Sequence, residues 1–343
     1  MASKKELLNM VNNLEEGQQI EEPKKILVID SLNLFFRNFA MLNMVNPNGV
    51  HIGGLGGFFR SLGALIRNIE PDEVYVIFDG VGSSNNRKNL IPEYKSTRNQ
   101  QRITNWEIFE DHSEENDAKI DQIVRTIQYL KTLPVKVLSI DKTEADDIIA
   151  YLSNVLSSKD TRTFIVSSDK DFIQLVDYYK VLYRPMEKEF YTKDFMISKY
   201  GFPPENFIIY KLLMGDSSDN IRGIKGLGLK KLYKLFPQIK TEHISLKRLY
   251  EICEENLDKH VIYARVLQDR DRLEKNYKIM DLSNPLLSSE DKQYINSFIK
   301  SSTPDFHPES FLEMYHKDQL GGIIRNVDFW VEDIFRKFAK NKQ

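Results

Sequence analysis

Cysteine is almost absent from this chain. Of 343 residues only Cys253 is one, which excludes an internal disulfide and a cysteine-built zinc site. A lone thiol of this kind reads as a small buried apolar group, and its solitude fits a reducing, cytoplasmic compartment. Long hydrophobic runs are missing as well: no apolar stretch is long enough to span a bilayer. The polar, acid-tipped residues 1–22 lack the apolar core of a signal peptide. Repeats and low-complexity tracts are missing. A strong net charge is missing too, the formal value being −2, so the total does not announce a nucleic-acid partner.

What is present is 41% hydrophobic and 29% charged residues, enough for a globular chain with a real core, in one large or two modest domains. The near-neutral total conceals separate surfaces. Residues 87–102 carry five basic groups and one acid, and residues 222–240 carry six basic groups and no acid. The acids gather in the opening stretch and in residues 107–121.

The pattern along the chain predicts an α/β fold. Apolar runs of buried-strand length occur at 24–30 and 73–79, each ending in an aspartate, then at 135–140, 163–167 and 180–184. Helical spacing falls between them at 57–69, 117–133 and 145–156, after a glycine-rich loop at 47–57. Strands alternating with helices predict a mainly parallel central sheet. Beyond residue 190 the chain turns helical, with helices expected at 192–200, 204–214 and 229–236. Phe329, Trp330, Val331, Ile334 and Phe335 form an amphipathic patch, read as a helix packed on the body.

Carboxylates dominate the candidate chemistry. Residues 140–172 hold Glu144, Asp146, Asp147, Asp169 and Asp171 at two strand-to-helix junctions, and Asp30, Asp79, Asp216 and Asp219 complete the set. A single aspartate after a strand is commonly a helix cap, and that reading applies with force to Asp147 and Asp171. Three strands ending in carboxylates, together with Glu144-Ala-Asp-Asp and Ser-Ser-Asp169-Lys-Asp171, exceed what capping explains. Like charges collected so closely need a cation, and oxygen-only ligands select Mg²⁺ or Mn²⁺ over zinc. Two ions about 3.5–4 Å apart would suit phosphodiester hydrolysis.

Two basic features stand beside this acid set. Residues 215–232 run Gly-Asp-Ser-Ser-Asp-Asn-Ile-Arg-Gly-Ile-Lys-Gly-Leu-Gly-Leu-Lys-Lys-Leu. Gly223, Gly226 and Gly228 permit a tight hairpin between helices, with Lys230 and Lys231 opening the second. Such a turn holds phosphate through backbone N–H groups without reading bases. No strand precedes the glycines, so nucleotide binding is rejected. The other feature, Arg87-Lys-Asn-Leu-Ile-Pro-Glu-Tyr94-Lys95-Ser-Thr-Arg98, would alone be a solvated basic face. Next to a metal site, Lys95 and Arg98 gain a role on the scissile phosphate, and Tyr94 offers a stacking face. Residues 87–118 are long for a plain connection, which favours a functional segment. His51 reads as incidental, and the glycines at 53–57 resemble a phosphate loop only superficially.

With these motifs together, the chain resembles the structure-specific 5′ nucleases, over residues 24–236. Its Tyr94-Lys95-Ser-Thr-Arg98 and Thr104-Asn105-Trp106 stretches look most like the T-even-type bacteriophage branch, whose members have RNase H activity. The resemblance implies a resolvase-like or PIN-like α/β nuclease domain at 23–190, preceded by an extension at 1–22. A helical arch at 87–118 and a helical domain at 191–343, with a helix–hairpin–helix at 215–236, would complete it. It implies that Asp30, Asp79, Asp146 and Asp169 lean toward one Mg²⁺, and Glu144, Asp171, Asp216 and Asp219 toward a second, some through water. Arg87, Tyr94, Lys95, Arg98, Gly223, Gly226, Gly228, Lys230 and Lys231 would meet DNA, with Lys95, Arg98 and Asp146 closest to the chemistry. A K⁺ ion at the hairpin carbonyls, a single-strand-binding protein or sliding clamp as partner, a monomeric state and, for a phage-encoded chain, the host cytoplasm are implied likewise. Arg222, Lys225 and Leu229 stand where many relatives have proline, a departure that leaves the hairpin backbone less constrained.

The reading reached is a metal-dependent 5′→3′ exonuclease and flap endonuclease acting on DNA and RNA–DNA ends, removing primers and flaps in replication. A catalytically silent junction-binding protein is disfavoured, because a pure binder has no reason to keep buried repulsion. A PIN-type ribonuclease is disfavoured by the hairpin segment, which suits duplex DNA.

Overall fold

The computed structural model describes residues 22–92 and 103–340. Strands β1 (Lys24–Asp30), β2 (Glu73–Ile77), β3 (Lys136–Leu138), β4 (Thr161–Val166), β5 (Lys180–Arg184) and β6 (Glu189–Tyr191) form one sheet in the order β3-β2-β1-β4-β5-β6. The first five are parallel and β6 runs antiparallel on the edge. Strand β6 was not expected from the sequence; at three residues it is too short to leave a periodic signal. Because β1 lies between β2 and β4, the residues that follow these three strands share one edge of the sheet, where ligands of open α/β sheets bind.

Alternation along the buried strands sends side chains to two cores. Ile26 and Val28 join Ile148, Ile149, Phe172 and Leu212 on one face. Leu27 and Ile29 join Phe35, Phe58, Leu62, Phe311 and Trp330 on the other. The second core therefore includes the end of the chain. The helix Val327–Lys340 packs on the body as its apolar patch predicts, with Phe329 exposed. A Cβ on Gly63 would lie 2.5 Å from the Trp330 ring, so that glycine makes room for the indole. Arg67 and Asp333 close the same contact with an ion pair at 2.8 Å.

The glycines at 53–57 are not a loop. They open the helix Gly53–Ile69 and are buried, Gly54 and Gly57 against the helix Ser31–Met41 and Gly56 against Ile323. A Cβ on Gly54 would meet the Phe35 ring at 2.7 Å, and one on Gly57 would meet Leu42 at 2.6 Å. Close helix packing, not phosphate, explains them. His51 is likewise structural: its Nε2 lies 2.9 Å from the Leu42 carbonyl and Gln122 donates to its Nδ1 at 3.1 Å. Burial lowers its pKa, so the neutral ring is the stable form there.

The helix expected at 117–133 begins earlier, at His112–Leu130, capped by Asp111 accepting from the Glu114 N–H at 2.9 Å. Buried Glu115 accepts from the backbone N–H groups of Thr104 and Asn105 at 2.7 and 2.9 Å. Asn105 in turn donates to the Phe39 carbonyl at 2.8 Å. Residues 103–118 are therefore fastened to the body, although the expected arch had included them. Among the described residues no helix is long and apolar enough to cross a membrane.

Candidate metal centre and nucleic-acid interface

Asp30 is the last residue of β1 and the cap of the next helix, its Oδ1 accepting from the Asn33 N–H at 3.2 Å. Its Oδ2 accepts from the Ser167 hydroxyl at 2.8 Å. Ser167 also takes the Asp169 N–H at 3.0 Å, and Asp169 Oδ1 takes the Asp171 N–H at 2.8 Å. The ends of β1 and β4 are thus stitched by one hydroxyl. Asp79, two residues past β2, accepts the Ala145 N–H at 2.9 Å and so caps the helix Ala145–Leu156 from another strand. Glu144, the cap residue of that helix, makes no side-chain cap bond. Asp146 stands half-buried in its first turn.

Electrostatics at this edge are those of crowded carboxylates. Burial pushes the Asp30 carboxyl up to about 7, helped by Asp79 and Asp169 and opposed by the Ser167 hydroxyl. Burial and then Asp169 push Asp171 up to about 7 as well, against the pull of Lys211. Asp219, buried, adds to that upward push on Asp171.

Lys211 is the residue the sequence did not reveal. It projects from the helix Phe207–Met214 and forms ion pairs with both Asp171 and Asp216. Burial works against its charge, but Asp171, Asp169 and Asp216 outweigh it and hold the ammonium protonated. Burial would likewise raise Asp216, but Lys211 and Ser218 bring it down to about 2. An apolar run, Phe-Ile-Ile-Tyr-Lys-Leu-Leu-Met, hid a lysine in an otherwise core-facing helix. That unusual placement was the available signal.

Two expected roles change. Arg87 was expected on DNA but is 3% exposed, with its guanidinium on Glu144 at 2.8 Å and Asp147 at 2.9 Å. Its Nε donates to the Ile279 carbonyl at 2.9 Å. Asp147 was counted among the metal ligands, but its carboxylate is taken up by Arg87 and by the Leu286 N–H at 2.9 Å. It braces the later helices instead. Tyr94, Lys95 and Arg98 lie outside the described residues.

The donor set is oxygen throughout, and carboxyls raised by burial and by neighbouring carboxylates fit a divalent cation. Among the described residues no group of three or more side chains is already arranged to hold one ion. This agrees with Asp30, Asp79 and Asp169 each being engaged by hydroxyl or backbone donors. Mg²⁺ keeps several of its waters, so direct contact with every carboxylate is not required.

The hairpin follows the helix Phe207–Met214. A two-stranded ladder, Gly215–Asp216 with Ile221–Arg222, precedes the turn into the helix Leu229–Leu235, an insertion that the expected tight hairpin between helices did not include. A Cβ on Gly223 would sit 2.4 Å from the Met214 carbonyl group, and Gly226 has φ +81°, so both positions require glycine. Gly228 caps the second helix with open space around it. Lys230 is exposed, and Lys231, also exposed, donates to the Gly226 carbonyl at 3.0 Å.

Residues 25–201 match the family model of the 5′-3′ exonuclease N-terminal resolvase-like domain. The 5′-3′ exonuclease of Aquifex aeolicus is 29% identical over 321 residues, covering 92% of this chain and 98% of its own. DNA polymerase I of Lactococcus lactis subsp. cremoris is 32% identical over 246 residues, covering 68% of this chain. The chain spans about a quarter of that polymerase, 26% of its length, and 32% of the DNA polymerase I of Borreliella burgdorferi, to which it is 27% identical. The bacteriophage T5 flap endonuclease, solved with DNA and metal ions, superimposes with a TM-score of 0.61 at 18% identity, over 92% of this chain and all of that one. The family match covers more than half of the 343 residues, and the chain belongs to the 5′-3′ exonuclease family.

Proposed function

We propose that this chain is a Mg²⁺-dependent 5′→3′ exonuclease and flap endonuclease, hydrolysing phosphodiesters near the 5′ ends of DNA and RNA–DNA duplexes. The observation that carries the reading is the placement of Asp30, Asp79 and Asp169 at or just past the ends of three adjacent parallel strands, with the Asp30 carboxyl pushed up first by burial and then by the other two. Family membership and the metal-bearing, DNA-bound T5 relative of the same fold support it. The chemical part is the resolvase-like region 23–190, and the helical part 191–343 positions the substrate.

Asp30, Asp79, Asp146 and Asp169 would hold one ion, and Glu144, Asp171, Asp216 and Asp219 would surround a second, partly through water. Cations bound there supply an activated water for attack on phosphorus and neutralise charge on the leaving oxygen, leaving a 5′-phosphate and a 3′-hydroxyl. The chain's own groups set the geometry. Ser167 fixes the Asp30 carboxylate. Asp79 anchors the Glu144–Asp146 turn through the Ala145 N–H. Lys211 holds Asp171 and Asp216 together through its two ion pairs. Tyr94, Lys95 and Arg98 are assigned to the entering strand, and Gly223, Gly226, Gly228, Lys230 and Lys231 to a duplex phosphate.

The biological role that follows is removal of RNA primers and displaced flaps during replication. A 5′-labelled flap duplex incubated with Mg²⁺, beside EDTA and Asp146→Asn controls, tests the activity. Release of a labelled 5′ fragment by the wild type alone supports it. Binding without cleavage would leave a junction-binding protein, and preference for single-stranded RNA would leave a ribonuclease.

A further inference from the structure

The likeness to the 5′ nucleases implies a K⁺ ion held by the hairpin's backbone carbonyls, yet those carbonyls face cations that the chain supplies itself. Arg265, from the helix Val261–Gln268, donates to the Lys225 carbonyl at 2.7 Å. Arg272, from the helix Arg270–Met280, donates to the Arg222 carbonyl and reaches the Gly223 carbonyl at 3.5 Å. Asp269 orients that guanidinium at 2.6 Å. With Lys231 on Gly226, the carbonyls of 222, 223, 225 and 226 all accept from positive side chains. A monovalent cation brought to these oxygens would meet like charge at close range. The fit is close as well: a Cβ on Gly226 would lie 2.9 Å from the Arg265 guanidinium.

We infer that Arg265 and Arg272 are positioning residues that replace a bound monovalent cation, holding the hairpin in its phosphate-accepting shape, so that duplex binding by this chain needs no K⁺. The inference rests on the proposed reading of 215–236 as a duplex clamp. It also accounts for the departure at Arg222, Lys225 and Leu229. The stiffness that proline would give locally comes instead from two arginines about forty and fifty residues downstream.

The test is duplex affinity by fluorescence anisotropy in EDTA, where nothing is cleaved. K⁺, Na⁺, Li⁺ and tetramethylammonium chlorides are compared at one ionic strength, because counterion release otherwise masks ion identity. Wild type is expected to bind equally in all four. The Arg265→Ala/Arg272→Ala variant is expected to bind on the order of tenfold more weakly, from the loss of charge-assisted hydrogen bonds, and to recover in K⁺ but not in Li⁺. A K⁺-specific gain by wild type overturns the inference, and so does a double variant that binds as wild type or recovers in neither salt. Thermal melting shows whether the double variant is folded; if it is not, Arg265→Ala, which removes a single hairpin bond, decides by the same criteria. Failure of the clamp reading looks different: Lys230→Ala/Lys231→Ala then binds duplex as tightly as wild type in every salt.

Discussion

Arg87 and Asp147 form a buried ion pair at 2.9 Å, and the same guanidinium holds Glu144 at 2.8 Å. A residue from the segment leading toward 93–102 is thereby tied to the first turn of the carboxylate-bearing helix and, through the Ile279 carbonyl, to the later helices. Removing one partner of such a group leaves buried charge uncompensated. Arg87→Ala is expected to lower stability by about 3–5 kcal/mol in urea unfolding. Asp147→Asn is expected to lose stability while keeping the metal-titration midpoint, which separates bracing from ligation. A shifted midpoint in that variant would return Asp147 to the ligand set.

Ser167 gives a milder perturbation of the centre. Its hydroxyl fixes Asp30 at 2.8 Å and accepts the Asp169 N–H. Outer groups of this kind commonly set metal affinity, so Ser167→Ala is expected to weaken Mg²⁺ binding about 10- to 100-fold. Calorimetric titration with Mg²⁺, with melting checked in parallel, measures it; unchanged affinity would dissociate Asp30 from the site.

The raised carboxyls make a signed pH dependence. Asp30 and Asp171 titrate near 7 in the fold without metal, against about 3.9 for an unfolded aspartate. Between those values the native state holds more protons than the unfolded chain, so stability falls as pH rises. In EDTA the unfolding free energy, read from urea denaturation, is expected to fall from pH 5 to about pH 7, by up to about 1.4 kcal/mol per pH unit for one such group, and to level off above that. Mg²⁺ is expected to flatten that decline and to stabilise most at pH 8. Equal stabilisation by Mg²⁺ at both ends would contradict the assignment.

Lys211 supplies the internal counter-charge to Asp171 and Asp216. Lys211→Met is expected to melt several degrees lower than wild type in EDTA and to regain most of that loss with Mg²⁺. The physical reason is that a buried carboxylate pair deprived of its lysine depends on a metal. Thermal scans with and without the ion read the difference directly.

The sheet was legible because β1 and β2 are continuous apolar runs ending in Asp30 and just before Asp79. A strand buried on both faces produces such a run, and an amphipathic helix does not. The carboxylate edge was legible for the same reason. Lys211 and Ser167 were not, since one sits in an apolar helix and the other is an ordinary serine in the strand-to-turn segment after β4. The glycines at 53–57 misled: glycine chosen for helix packing against Phe35 and Leu42 looks, in sequence, like glycine chosen for a loop. Arg87 misled in the opposite way, because basic clusters on a polar stretch usually face solvent, and only tertiary structure reveals its acidic partners. Arg265 and Arg272 act on a hairpin far upstream, a relation that no local pattern carries.

The sheet edge gathers carboxylates suited to divalent ions. Anomalous diffraction from crystals grown with Mn²⁺ and a flap duplex tests it most directly. Peaks are expected between Asp30, Asp79, Asp146 and Asp169 and beside Asp171 and Asp216. Mn²⁺ peaks confined to other surfaces, with none at this edge, would contradict it.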